Sequence, residues 1–257
     1  FFHLKNMITL ITGATSGIGE ACAEIFAKNG YDLIITGRRK DRLTVLAKSI
    51  EKKYKVKTLA LNFDVRKLSE VEKQISSLPT EWKKIDILIN NAGLASGLGT
   101  IQEGNIDDWE TMIDTNIKGL LYITRQIAPL MVQNKKGHII NIASIAGKQA
   151  YPKGNVYCAT KFAVDALSQS MRLDMIEHGI RVTNIAPGMV ETEFSLVRFK
   201  GDKERAKKTY ENVQPLTATD IADVVYWTAS RPAHVNINDV VITPTAQANA
   251  YVVHRSN

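Results

Sequence analysis

A chain of 257 residues with 33 Lys and Arg against 26 Asp and Glu carries a formal charge of +7, and its 44% hydrophobic and 23% charged residues are ordinary for a folded domain. This composition excludes a disordered acidic tail and a collagen-like repeat, and no apolar run approaches the roughly 18 residues of a membrane-crossing helix. The basic residues are scattered among acids, as in 48–57 and 200–208, which reads as solvated helix faces and predicts neither a nucleic-acid nor a membrane partner.

In chain order, residues 1–6 lack the apolar region and cleavage site of a secretion signal, and Met7 stands directly before the first strand pattern. Residues 1–6 are therefore expected to be an N-terminal extension or cloning remnant, and 7–257 a single domain. Short apolar runs predict strands over 7–12, 31–36, 56–61, 85–89, 137–143, 180–186 and 239–243. Helical periodicity begins between them near Gly17, Lys40, Lys67, Asp107, Val156 and Thr217. Runs as apolar as Ile-Thr-Leu-Ile suit burial on both faces, so the alternation predicts an α/β fold, a doubly wound parallel sheet of seven strands flanked by helices. No Pro-, Gly- or Ser-rich linker divides it. The least regular stretch, 191–214, is charged and contains Gly201, the pattern of a mobile lid over a site or of a surface insertion. Cys22 and Cys158 have no C-x-x-C spacing and the histidines form no H-E-x-x-H pattern, so a reducing cytoplasm and no metal are expected.

Directly after the first strand comes Thr12-Gly13-Ala14-Thr15-Ser16-Gly17-Ile18-Gly19, then a helical run. Glycines between a strand and a helix let the backbone turn sharply and let the helix start approach a pyrophosphate, where free N–H groups and the helix dipole favour an anion. The domain is thus expected to be of Rossmann type. An NAD enzyme would place Asp or Glu about 20 residues beyond the glycines to bind the ribose 2′-OH, whereas a 2′-phosphate repels a carboxylate and needs arginine. The sequence there reads Thr36-Gly37-Arg38-Arg39, which predicts NADP, with Arg38 the leading phosphate contact and Arg39 stacking or pairing beside it.

Tyr157 and Lys161 stand at i, i+4 within a helical run, so both side chains share one face. A phenol with a reference pKa of about 10 is a poor base at neutral pH, but an adjacent ammonium and the positive nicotinamide of NADP⁺ favour the phenolate. Ser144, just past a strand end, can hydrogen-bond a substrate oxygen or cap a turn. Asn116, inside a helical pattern, either packs locally or performs a task.

The spacing G-x-x-x-G-x-G, Asn90-Asn91-Ala92-Gly93, Asn116, Ser144, Tyr157 with Lys161, and Pro187-Gly188, in that order, resemble the short-chain dehydrogenase/reductase family over almost the whole chain. The resemblance implies a catalytic set of Asn116, Ser144, Tyr157 and Lys161, in which Asn116 supports a water leading to Lys161 and Lys161 grips the nicotinamide ribose. It implies a cofactor site of Gly13, Thr15, Ser16, Gly17, Ile18, Gly19, Arg38, Arg39, Asp64, Val65, Asn91, Ala92, Gly93, Tyr157 and Lys161, with Asp64-Val65 the adenine-binding pair. Pro187, Gly188, Val190 and Thr192 resemble the segment that orients the nicotinamide. Members assemble through their long helices and C-terminal segment, so a homo-oligomer, a tetramer by preference, is expected.

Within the family, segments 197–202, 233–238 and Val253-His254-Arg255 look like the NADP-dependent 3-hydroxy acid dehydrogenases, which act on serine, L-allo-threonine and related small hydroxy acids such as 3-hydroxypropionate. Lys153 stands where that branch is expected to carry a small residue. A carboxylate substrate calls for a cation. Arg198, in the lid beyond Thr192, is the expected one beside Ser144 and Tyr157, with Lys148, Lys153 and a neighbouring subunit's Arg255 as rivals. The alternatives are a reductase of another carbonyl and a non-catalytic NADP(H) sensor, the second disfavoured because binding alone needs no Tyr157.

Overall fold

The structure, a computed structural model, describes residues 7–256, so the expectation for residues 1–6 lies outside the described residues. The seven apolar runs become β1 (Ile8–Ile11), β2 (Asp32–Gly37), β3 (Thr58–Asn62), β4 (Ile85–Asn90), β5 (Gly137–Ile142), β6 (Ile180–Pro187) and β7 (Asp239–Ile242). They pair in the order β3-β2-β1-β4-β5-β6-β7, every neighbour parallel. The chain runs outward from β1 to β3, then returns to lay β4 on the other side of β1. That reversal opens a crevice at the carboxyl ends of β1 and β4, where ligands bind in such sheets.

Nine α-helices lie among the described residues: α1 (Gly17–Lys28), α2 (Lys40–Tyr54), α3 (Leu68–Ser76), α4 (Ile106–Ile113), α5 (Leu120–Asn134), α6 (Asn155–Met175), α7 (Phe194–Arg198), α8 (Lys203–Lys208) and α9 (Ala218–Ala229). Because strand side chains alternate, Ile11, Ile35 and Ile185 face one layer, with Phe26, Leu43, Ile50 and Val225 of α1, α2 and α9. Leu10, Leu88 and Val182 face the other, with Val71, Ile123, Met131 and Val164 of α3, α5 and α6. Both faces of β1, β4 and β5 are buried along their whole length, as their apolar runs require.

The helix expected from Asp107 proves to be α4 and α5 joined by a π turn at Asp114–Gly119, and Asn116 sits in that turn. The irregular 191–214 stretch holds α7 and α8, both too short to show a helical period, and α8 starts where the Asp202 side chain accepts from the Arg205 N–H.

Candidate active site

Thr12, at the end of β1, clasps the two loops that form the crevice. Its Oγ1 accepts from the Asn91 and Ala92 N–H groups at 3.0 and 2.9 Å, while Asn91 Nδ2 donates to Thr12 O at 2.8 Å. The loops press so closely that a Cβ on Gly13, whose φ is +67°, would lie 2.9 Å from Ala92 Cα, so this turn accepts only glycine. Ser16 enters α1 in extended conformation and offers no side-chain bond to the helix's first turn. The orphan N–H groups there face a groove and can take an anion.

That groove, of about 320 Å³, gathers Gly13, Thr15, Ser16, Gly17, Ile18, Arg38, Arg39, Asp64, Val65, Asn91, Ala92, Gly93, Ser144, Tyr157, Lys161, Pro187, Gly188, Val190 and Thr192 into one surface. Of the expected residues, Gly19 lies behind it, where a Cβ would collide with Asn91 Nδ2 and Gly13 O, and Asn116 lies beneath Gly93. Arg198 lines an adjoining cavity of about 190 Å³ that shares Tyr157.

At one end the Arg38 guanidinium is exposed and makes no hydrogen bond or ion pair among the described residues. Arg39 is engaged instead: Nε and Nη2 donate to Thr15 Oγ1 at 3.0 and 2.8 Å, Nη2 to Ser16 Oγ at 2.7 Å, and Nη1 pairs with Glu193 at 2.7 Å. Arg42 of α2 also pairs with Glu193 at 2.7 Å. Arg39 and Arg42 together hold the Glu193 carboxyl below the usual carboxylate range. Asp64 is pushed up by burial, but its pair with Arg66 at 2.6 Å, aided by the charge of Arg38, more than offsets this and leaves it low. Phe63, which carries no sequence signal, lines the groove beside it. An unpaired arginine, an uncapped helix start and the absence of an acid at the end of β2 fit a nucleotide bearing an extra phosphate.

At the other end Tyr157 and Lys161 project from the first turns of α6. Lys161 Nζ donates to Ile142 O at 2.9 Å and lies 6.0 Å from the Tyr157 ring centroid. Burial pulls the Lys161 ammonium down to about 8. Burial pushes Tyr157 up, and Tyr151 adds to this, while the Ser144 hydroxyl and Arg198 pull the other way. The phenol is therefore protonated at neutral pH, and Lys161, 6.0 Å from the ring, does not supply the lowering expected of it.

Ser144 fulfils its capping reading, accepting from the Ala146 N–H at 3.1 Å, and its hydroxyl also reaches Pro187 O at 3.4 Å. Asn116 is clamped on both sides: Oδ1 accepts from the Leu94 N–H at 2.9 Å, and Nδ2 donates to Leu94 O at 2.8 Å and Thr160 Oγ1 at 3.0 Å. A Cβ on Gly93 would stand 3.3 Å from Asn116 Oδ1 and 3.5 Å from Lys161 Nζ, so glycine leaves the space between them open.

Residues of the 191–214 stretch lie against this end. Phe194 packs edgewise on Tyr157, ring centroids 5.6 Å apart, and the Phe194 N–H donates to Thr192 Oγ1 at 3.2 Å. Arg198 lies 5.5 Å from the ring centroids of both Tyr157 and Tyr151, donating to Tyr151 Oη at 2.8 Å. Its rivals are placed otherwise. Lys148 is held by Asp165 and Asp239 at 2.6 and 2.8 Å, and Arg255 donates to Thr209 O and Glu211 O. Lys153 lines the smaller cavity with Arg198 but is not among the cations near the Tyr157 ring.

Thr12, Phe63, Arg42, Tyr151, Glu193 and Phe194 escaped the sequence reading. Only Thr12, inside the glycine motif, and Glu193 with Phe194, next to Thr192, carried a positional signal. Among the described residues no cluster of three His, Cys, Asp or Glu could hold a metal, and no helix is long and apolar enough to cross a membrane.

The family model for short chain dehydrogenases matches residues 7–202. The chain is 50% identical over 252 residues to the NADP-dependent 3-hydroxy acid dehydrogenase YdfG of Salmonella typhi, covering 97% of this chain and 100% of that one. It is 44% identical to sulfoacetaldehyde reductase 2 of Chromohalobacter salexigens, covering 96% and 98%. A solved structure of serine dehydrogenase, in its closed form complexed with NADP⁺, superposes with a TM-score of 0.91 at 47% identity, covering 97% and 100%.

Proposed function

Because this chain belongs to the short chain dehydrogenase family, we propose that Tyr157 serves as general acid and base while a hydride passes between NADP(H) and a small 3-hydroxy acid or its 3-oxo partner. The protein is an NADP-dependent oxidoreductase acting on CH–OH groups. The observation that carries the substrate reading is the Arg198 guanidinium 5.5 Å from the Tyr157 ring, in the cavity next to the groove. A carboxylate held there leaves a hydroxyl two carbons away within reach of Tyr157 and Ser144.

Bound cofactor supplies the hydride acceptor or donor and, when oxidised, a positive ring that favours phenolate. The chain's own residues do the rest. The backbone of Gly13 to Gly19, with Thr15, Ser16, Gly17 and Ile18, receives the pyrophosphate at the start of α1. Arg38 takes the 2′-phosphate, and Arg39, already fixed on Thr15 and Ser16, walls that pocket. Asp64 and Val65 bound the adenine, and Asn91, Ala92 and Gly93 form the floor. Pro187, Gly188, Val190 and Thr192 hold the nicotinamide end.

In reduction Tyr157 Oη gives its proton to the carbonyl oxygen, which Ser144 Oγ also binds. In oxidation the phenolate takes the hydroxyl proton, aided by the Lys161 ammonium. Lys161 then hands protons on through a water that Asn116 supports, in the space Gly93 leaves open. Phe194 excludes bulk water from the phenol.

Exposed Leu121, Phe162 and Leu173 on α5 and α6 with Ile176 just past α6, and Trp227 with Val241 on α9 and β7, support a homo-oligomer with two contact faces, a tetramer. Two buried free thiols fit the cytoplasm. The test is Arg198→Ala. We expect KM for 3-hydroxypropionate to rise at least about tenfold while a plain secondary alcohol is unaffected, in line with the loss of a charge-assisted pair. An unchanged KM refutes the assignment. The sulfonate-bearing substrate in one relative's name fits the same cation, and comparing sulfoacetaldehyde with the 3-oxo acid as substrate separates the two.

A further inference from the structure

Residues 243–256, after β7, fold back behind the nicotinamide end of the groove as an antiparallel turn bridged at Gln247 and Val253. The turn is closed by Ala248 N–H to Val252 O at 3.0 Å and His254 N–H to Ala246 O at 2.8 Å. Gln247, on one side of that bridge, is a polar side chain only 5% exposed, a burial that is costly unless the amide is bonded. Both ends of the amide are bonded. Nε2 donates to Asn249 O at 3.1 Å, and Oε1 accepts from the Met189 N–H at 2.8 Å.

The second bond points to function. Met189 follows the end of β6, and its neighbours Gly188 and Val190 form groove wall. The Gly188 N–H is already bonded to Ile242 O at 2.7 Å, and Met189 O accepts from the Leu216 N–H at 2.9 Å. The Met189 N–H has Gln247 as its partner among the described residues. Gly188 makes the approach possible, since a Cβ there would collide with Gln247 Oε1 and with Thr243 at 3.0 Å. The tail amide thus sits flush on the outer side of the peptide whose inner side faces the groove.

We infer that Gln247 is a positioning residue: from the C-terminal tail it fixes the Gly188–Met189 peptide plane, and with it the wall against which the nicotinamide end of the cofactor rests. The inference rests on the NADP(H) reading of the groove. Gln247 touches neither pyrophosphate loop nor Arg38, so its loss should be felt at one end of the cofactor and not at the other.

The experiment is calorimetric titration of wild type and Gln247→Leu with NADPH and with adenosine 2′,5′-bisphosphate, which lacks the nicotinamide. Gln247→Leu is expected to bind NADPH at least about tenfold more weakly, the order for a buried donor left unpaired, with bisphosphate affinity within about twofold. Equal loss of both ligands would mark the tail as merely structural, and unchanged NADPH affinity would leave Gln247 without this role; either result overturns the inference. Wild-type protein that bound neither ligand would overturn the reading of the groove, and the inference with it. Independently of any variant folding, the Met189 amide of the wild type should exchange with solvent as slowly as the β6 amides of Ile185 and Ala186. Exchange at the rate of an open loop would overturn the inference as well.

Discussion

The groove treats charge in two ways along its length. Where Arg39, Arg42 and Glu193 meet, the side chains are 40%, 50% and 40% exposed, so each pair contributes no more than about 1 kcal/mol and exchanges partners at little cost. Tyr157 and Lys161, at the other end, are 8% and 6% exposed, and burial moves both away from their solution behaviour. Recognition of a ligand that must come and go suits wet, replaceable ion pairs. Proton transfer suits desolvated groups, and these weaken the fold that holds them.

The sharpest way to break this comparison is Tyr157→Phe. It should lower kcat by about a thousandfold or more, as for loss of a general acid–base, while NADPH affinity stays within a few-fold. A variant that kept a tenth of wild-type turnover would remove Tyr157 from the chemistry. At the wet end, Arg38→Ala should lower kcat/KM with NADP⁺ by about ten- to a hundredfold and leave the NAD⁺ reaction unchanged or improved. Equal losses with both cofactors, measured by initial rates, would deny Arg38 the phosphate.

Lys161→Met separates catalysis from stability. Burial lowers the Lys161 pKa from 10.5 to about 8, so between those values the unfolded chain binds a proton that the native state does not. Stability is therefore depressed at neutral pH and recovers as pH rises through about 8 toward 10.5. The drop corresponds to a cost of at most about 3 kcal/mol. Lys161→Met should lose turnover yet melt a few degrees higher than wild type at pH 7, with the gap closing by pH 10. A variant that melted lower at pH 7 would show that the Ile142 O bond outweighs desolvation. The smallest effect is expected of Glu193→Gln, which removes the carboxylate joining the 191–214 stretch to Arg39 and Arg42. Stopped-flow release of NADPH should quicken about two- to threefold at low salt, and the difference should vanish near 1 M salt, where screening reaches within about 3 Å. A salt-independent difference would mean that Glu193 acts by packing.

The sheet was legible because a strand covered on both faces must be apolar throughout, and runs such as Ile8 to Ile11 have no other use. The glycine loop was legible because its position between strand and helix constrains residue type, and Tyr157 with Lys161 because i, i+4 places two side chains on one helical face. What escaped depends on long-range approach. Glu193 meets Arg39 across 154 residues and Gln247 meets Met189 across 58, and no local spacing encodes either. Asn116 was ambiguous because a helical pattern does not reveal a π turn, nor that Leu94 and Thr160 hold its amide. The direction of the Tyr157 shift depended on how deeply the phenol is buried, which only packing decides.

The most direct test of the account is the appearance of NADPH absorbance when purified protein meets L-serine, L-allo-threonine, 3-hydroxypropionate or a plain secondary alcohol, with NADP⁺ and separately with NAD⁺. Turnover of the hydroxy acids is expected with NADP⁺ clearly preferred over NAD⁺, and the plain alcohol is expected to be a poor substrate. Turnover confined to the plain alcohol would contradict the Arg198 pocket, and NADPH binding with no turnover of any substrate would contradict the enzyme itself.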